Sequence, residues 1–245
     1  MLKGFWKLTW VETKVFVREP MGVFGTLGLP VIVFVALGGV FSAGDAGAAG
    51  LESAPFNIPV LAVLFIAVSA VLSLVAIMSI YRESGILKRL RATPLSPVTI
   101  LSAHVFVKLG FTVVGLLLLV LAGRRVIPGA LDVDLVGFTL ALLLSTLSIL
   151  SLGFIIASIV PTARFAQPIT AAVLYPMIAV SGLFFPLHVL PTGLREVTLL
   201  FPTTHAVTLL ESIWDGSGWH LGSVVALMAI FLALTALSAR VFRWE

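Results

Sequence analysis

The residues best suited to interaction chemistry lie in one short stretch, Tyr81-Arg-Glu-Ser-Gly-Ile-Leu-Lys-Arg-Leu-Arg-Ala-Thr-Pro-Leu-Ser-Pro97. Helical spacing places Ile86 or Leu87 beside Leu90, with Lys88, Arg89 and Arg91 around them, and Pro94 stops the helix. Such a helix is amphipathic, exposed and too short to be stable alone. Two roles are open to it: a basic loop that sets topology and touches anionic lipid, or a surface that docks on another protein. Glu83 could pair with a cation on that partner, or cap a helix start, where a negative charge meets the positive end of the dipole.

Other chemical side chains are sparse. Lys108 is the one charge well inside an apolar run; it could attract an anionic headgroup, or snorkel to the interface, which is the plainer reading, with interfacial His104 one turn before it. His188, His205 and His220 match no common metal-ligand spacing, and there are no cysteines, so no metal site is expected. Enzyme signatures are absent: no Gly-x-Ser-x-Gly elbow, no His-Glu-x-x-His and no paired intramembrane aspartates. No Gly-x-x-x-x-Gly-Lys-[Ser/Thr] occurs either, so the chain has no phosphate-cradling loop and any ATP must be bound elsewhere.

The elements that must carry these residues are membrane helices. The 245 residues are 60% hydrophobic and 11% charged, with mean hydropathy +1.17, far from the quarter charged that soluble domains carry. Six runs are long enough to cross about 30 Å of hydrocarbon: Met21–Phe41, Phe56–Ile80, Val98–Ala122, Leu135–Val160, Ala166–Phe185 and Leu221–Val241. All eleven Asp and Glu residues fall outside them, which disfavours an ion-driven carrier relying on an intramembrane carboxylate. Eleven of the fifteen Lys and Arg fall on one side of this map, so both termini are expected in the cytoplasm and the net charge of +4 needs no nucleic acid.

Residues 1–20 read as a helix lying flat in the headgroup plane. Phe5, Leu8, Trp10, Val11, Val15 and Phe16 form its apolar face, Lys3, Lys7, Glu12, Lys14 and Arg18 its polar one, and Trp6 and Trp10 anchor it. A cleaved signal peptide over Leu27–Val40 is the weaker reading, because the preceding segment is long and patterned. Within the spans, Ala62, Ser69, Ser73 and Ala76 form one stripe of small residues, and Ser145, Ser148, Ser151 and Ser158 stud another helix. Close packing is the plain role for both, and a moderately polar substrate path the alternative. Pro168 and Pro176 interrupt the fifth span, as a static kink or as a hinge. Between spans five and six, two short helices are expected around Leu194–Leu200 and His205–Trp214.

Glu83-x-Gly85-x-Leu87-Lys88-Arg89-Leu90-Arg91-x-Thr93-Pro94, followed by Leu-Ser-Pro, resembles the first cytoplasmic loop of type 2 ABC-transporter permeases. Gly182-Leu-Phe-Phe-Pro186 and Phe201-Pro-Thr-Thr-His205 fit the external region of that family. The resemblance implies a single all-α permease domain over residues 1–245, with an N-terminal interfacial helix, six transmembrane helices, a coupling helix within 82–97 and external re-entrant helices within 187–220. It also implies a separate ABC ATPase subunit that binds ATP and Mg, a second permease copy or homologous chain, and export across the inner (plasma) membrane. Drugs, antibiotics, lipids and glycans are the substrate classes of the family. On this reading Glu83, Gly85, Ile86, Leu87, Lys88, Arg89, Leu90, Arg91, Thr93 and Pro94 bind the partner, and Ser69, Ser73, Lys108, Pro176, Phe184 and Phe185 are pathway or gating candidates. A non-transporting, ATPase-coupled scaffold and a secondary transporter are the rival readings.

Overall fold

The computed structural model of the protein describes residues 2–18, 20–29, 31–36, 58–86, 97–126, 134–160, 162–182 and 190–241. Among these there is no β-strand. Helix α1 (Leu2–Arg18) leads into α2 (Pro20–Val23) and a π-helical turn, Phe24–Gly28. Next come α3 (Ile58–Phe65), a second π-helical turn (Ile66–Val71) and α4 (Leu72–Glu83), then α5 (Pro97–Val126), α6 (Leu135–Ile159) and α7 (Ala163–Val180). Two short helices, α8 (Thr192–Thr198) and α9 (Pro202–Trp214), precede α10 (Leu221–Val241).

Five helical segments are long and apolar enough to cross a membrane: Ile58–Glu83, Ser102–Ala122, Leu135–Ile159, Ala163–Val180 and Leu221–Ser238. These correspond to the second to sixth expected spans. The first, Met21–Phe41, is helical where described, and its residues 30 and 37–41 lie outside the described set.

Helix α6 is the centre of the bundle, packed by α10, α9, α5, α4 and the π-helical turn over Ile66–Val71. Its sequence suits that place. Ser145, Ser148, Ser151 and Ser158 are all buried, so these small side chains let neighbouring helices approach closely. Thr146 and Ser151 return their hydroxyls to the carbonyls of Leu142 and Ser148, at 2.7 and 2.6 Å, and so bring no unmet polarity into the core. Asp134 starts the helix, its carboxylate accepting from the amides of Val136 (3.1 Å) and Gly137 (3.0 Å). A Cβ at Gly137 would meet the Asp134 carboxylate, so a side chain there would push that cap aside.

Helix boundaries differ from expectation in two instructive places. Helix α4 continues past Ile80 to Glu83, so Tyr81, Arg82 and Glu83 ride on the rigid end of a span rather than in a loop. Pro202 opens α9 three residues before His205, since proline's fixed φ and missing amide suit a first helical turn. Helix α9 buries Thr203, Thr204, Ala206, Val207, Leu209, Leu210 and Ile213 against α6, α10 and α3. At its end Trp214 meets Phe138 edge-on at 5.5 Å. Pro168 and Pro176 both lie inside a continuous α7, where each removes one backbone donor.

Candidate functional site

The loop singled out by the sequence begins where α4 stops. The amide and hydroxyl of Ser84 both turn back to the carbonyl of Ile80 (2.9 and 2.7 Å), and Gly85 follows with φ +68°, a conformation that L side chains rarely adopt. Glycine at 85 therefore sets the angle at which the chain leaves the span. Ile86 is the last described residue of this segment; Leu87, Lys88, Arg89, Leu90, Arg91, Thr93 and Pro94 lie outside the described residues.

Three consecutive residues just before that turn contact three different elements. Tyr81 Oη donates to Glu12 Oε1 of α1 at 3.0 Å. Arg82 spans the end of α6, donating through one terminal nitrogen to the carbonyl of Val160 (2.7 Å) and through the other to that of Ala157 (2.8 Å). Carbonyls in the last turn of a helix lack intrahelical partners and carry its negative pole, so a guanidinium meets both needs there. Glu83 Oε1 accepts from the amide of Ala163, the first residue of α7, at 2.9 Å. Thr162, in the N-cap position of α7, makes no capping bond with its own side chain, and Glu83 fills that role from another helix.

On the α1 side, Glu12 is only 6% exposed. Its Oε1 also lies 3.3 Å from Nε2 of buried His104 on α5. Lys108, one turn further along α5 and likewise buried, sets its ammonium 4.7 Å over the ring of Phe16 of α1. Phe16 in turn packs on Phe111 at 4.1 Å, while Phe5 and Trp6 meet Phe106 edge-on. The face of α1 turned to the bundle is thus Phe5, Thr9, Glu12 and Phe16, which revises the two-sided expectation. Trp10, Val11 and Val15, assigned with Phe16 to one apolar face, are exposed, and Glu12, assigned to the polar face, is buried. The helix has one face for protein, one apolar face left open and one charged.

Burial holds the Glu12 carboxyl above its ordinary value of 4.5, and the Tyr81 hydrogen bond opposes this only in part. The folded chain then binds that proton more tightly than the unfolded chain does. Stability should therefore fall as pH rises from 4.5 through the raised value. Glu12→Gln keeps the acceptor for Tyr81 and should flatten this fall, read as thermal midpoints in detergent between about pH 4 and 7; an unchanged slope would count against the burial effect.

Of the other pathway candidates, Ser73 is half-buried and Pro176 is exposed on α7. The Ser69 side chain, Phe184 and Phe185 lie outside the described residues. His205 Nε2 is 2.8 Å from the carbonyl of Leu199, and His220 Nδ1 accepts from the amide of Ser223 at 3.1 Å, so each sits at a helix start. The contacts of Glu12, Tyr81, Arg82 and His104 escaped the sequence reading. One signal for Glu12 was available: it falls on the helical stripe Phe5, Thr9, Glu12, Phe16.

A family model described as "ABC-2 type transporter" matches residues 3–214, which takes in nearly all of α1 through α9 and the contacts of Glu12, Tyr81, Arg82, Glu83, His104 and Lys108. "Inner membrane transport permease YhhJ" of Escherichia coli (strain K12) is 28% identical over 172 residues, 66% of this chain and 44% of that protein. "Nodulation protein J" of Rhizobium meliloti (strain 1021) is 29% identical over 104 residues, 40% of each chain. In each case the match covers less than half of the relative's length. A bundle of apolar helices matched by the family model over most of its length places the chain by descent as well as by architecture: it belongs to the ABC-2 type transporter family.

Proposed function

We propose that the chain is the membrane-spanning permease subunit of an ATP-driven exporter, moving a hydrophobic or amphiphilic substrate outward with ATP hydrolysed by a separate ABC ATPase subunit. The observation that carries this reading is the segment after α4, Gly85-Ile-Leu-Lys-Arg-Leu-Arg, in a chain of the ABC-2 type family. An amphipathic helix of that length is useful only against a partner. The chain has no phosphate-binding loop, so ATP and Mg belong to that partner, and Ile86, Leu87 and Leu90 are the side chains that enter its groove. A second permease copy or homologous chain completes the pathway. On this reading six spans cross the inner membrane, with residues 82–97 and both termini on its cytoplasmic side, 42–55, 123–134 and 187–220 outside, and α8 and α9 re-entrant.

Two measurements test this. Ser84 and Ser217 are both exposed, and the chain has no cysteine, so Ser84→Cys and Ser217→Cys should react with a membrane-impermeant maleimide from opposite sides. Labelling from the same side overturns the six-span map. In proteoliposomes, ATP hydrolysis by the purified complex should rise on addition of members of a panel of lipophilic amphiphiles. A flat response across the panel favours the scaffold reading.

A further inference from the structure

We infer that Arg82 and Glu83 are positioning residues that transmit movement of the docking segment to α6 and α7 by gripping the short connection between them. This deepens the function proposed above and rests on it. The connection runs from Val160 to Ala163, and the two side chains hold it from both ends: Arg82 on the carbonyls of Ala157 and Val160, Glu83 on the amide of Ala163. Both polarities match, with the cation at the terminal carbonyls of one helix and the carboxylate at the first amide of the next.

The grip is mechanical because of where it is mounted. Arg82 and Glu83 stand on the last turn of α4, one residue before the Ser84–Gly85 turn that leads into the docking segment. A force on that segment therefore meets α4 and the α6–α7 connection together. Tyr81 adds α1 through Glu12. Helix α7 also packs along α4 and carries Pro168 and Pro176, where missing backbone hydrogen bonds make bending easiest. The terminus of α7 held by Glu83 is thus the handle of the one described helix with two internal prolines, and Arg82 steadies the neighbouring end of α6. Helix capping alone does not require this arrangement, since a side chain at Thr162 could do it locally.

That last point supplies the test. In the complex purified with its ABC ATPase, a fluorophore on Val173→Cys, an exposed position of α7, should change its emission on adding MgATP. Arg82→Gln and Glu83→Gln should each reduce the MgATP-dependent change about tenfold in complexes matched for bound ATPase, within the usual range of coupling between distant sites. Glu83→Gln combined with Thr162→Asp restores a cap to α7 from its own chain. It should recover the thermal midpoint lost in Glu83→Gln but leave the MgATP response low. Recovery of both would mean that Glu83 serves stability alone and would overturn the transmission role, as would a full response in the single variants. A wild-type complex that retains no ATPase would instead overturn the functional reading, and this inference with it.

Discussion

Replacing Leu87 and Leu90 together with Asp should abolish transport and strip the ATPase from the purified chain, while the protein still inserts into the membrane in normal amounts. On the helical spacing expected from the sequence the two leucines would share the face of Ile86, with Lys88, Arg89 and Arg91 around it, and on the proposed function that face docks. On docking, an Asp at either position would be taken out of water without a partner. Leaving one charge buried and unpaired costs about 3–5 kcal/mol, and about 1.4 kcal/mol is a factor of ten in affinity. Even one such charge therefore weakens docking by roughly a hundredfold or more. Insertion is untouched because these residues lie outside the apolar runs of the sequence. The measurements are co-purification of the ATPase and amphiphile-stimulated ATP hydrolysis, with Glu83→Gln alongside. Glu83→Gln should retain the ATPase, since its contact lies within the chain, on Ala163. Normal values for the double Asp protein would reduce the segment to a topology signal.

Gly153→Ile should destabilise the centre of the bundle, whereas Gly153→Ala should be nearly silent. A Cβ at 153 would sit 3.1 Å from Leu74 Cδ2 and 3.4 Å from Val71 Cγ1, with the backbone of Val71 at 3.7 Å. The methyl of alanine needs only a small shift of the Leu74 side chain. Isoleucine adds branches that have nowhere to go, because Val71 and Leu74 are themselves buried and the π-helical turn ending at Val71 packs directly on α6. Overpacking of this kind costs about 1–3 kcal/mol. For a chain of this size that is roughly 2–12 °C in the thermal midpoint. An unchanged midpoint for Gly153→Ile would show that α6 and α4 part more easily than their packing implies.

How much of this was legible in the sequence follows from the range of each interaction. Hydropathy is summed over about 20 neighbours, so the five described segments long and apolar enough to span stood out, as did the two short helices before α10. Asp134 and Pro202 act within a turn of their own positions, and their types announce helix starts. Arg82 differs. Read locally it was a loop cation, one of eight in the first two basic segments, and nothing nearby shows that its partners are carbonyls 75 and 78 positions later. Glu83 was read as a cap or an ion-pair partner; it caps, but the helix is α7. Lys108 was read as snorkelling in preference to attracting substrate, and its ammonium sits on an aromatic ring of α1, a partner almost a hundred positions before it that periodicity could not supply.

The sequence distances of these contacts also order the birth of the protein. Glu12 and Tyr81 are both made by the time the second hydrophobic run leaves the ribosome. The partners of Arg82 and Glu83 lie 78 and 80 positions further on, and synthesis at about 5–20 residues per second places them roughly 4–16 s later. Through that interval the end of α4 holds a cation and an anion whose native partners do not yet exist, so the nascent chain passes through an unlatched stage that closes only when α6 and α7 arrive. Membrane proteases and insertion factors that survey half-made proteins would meet it in that form.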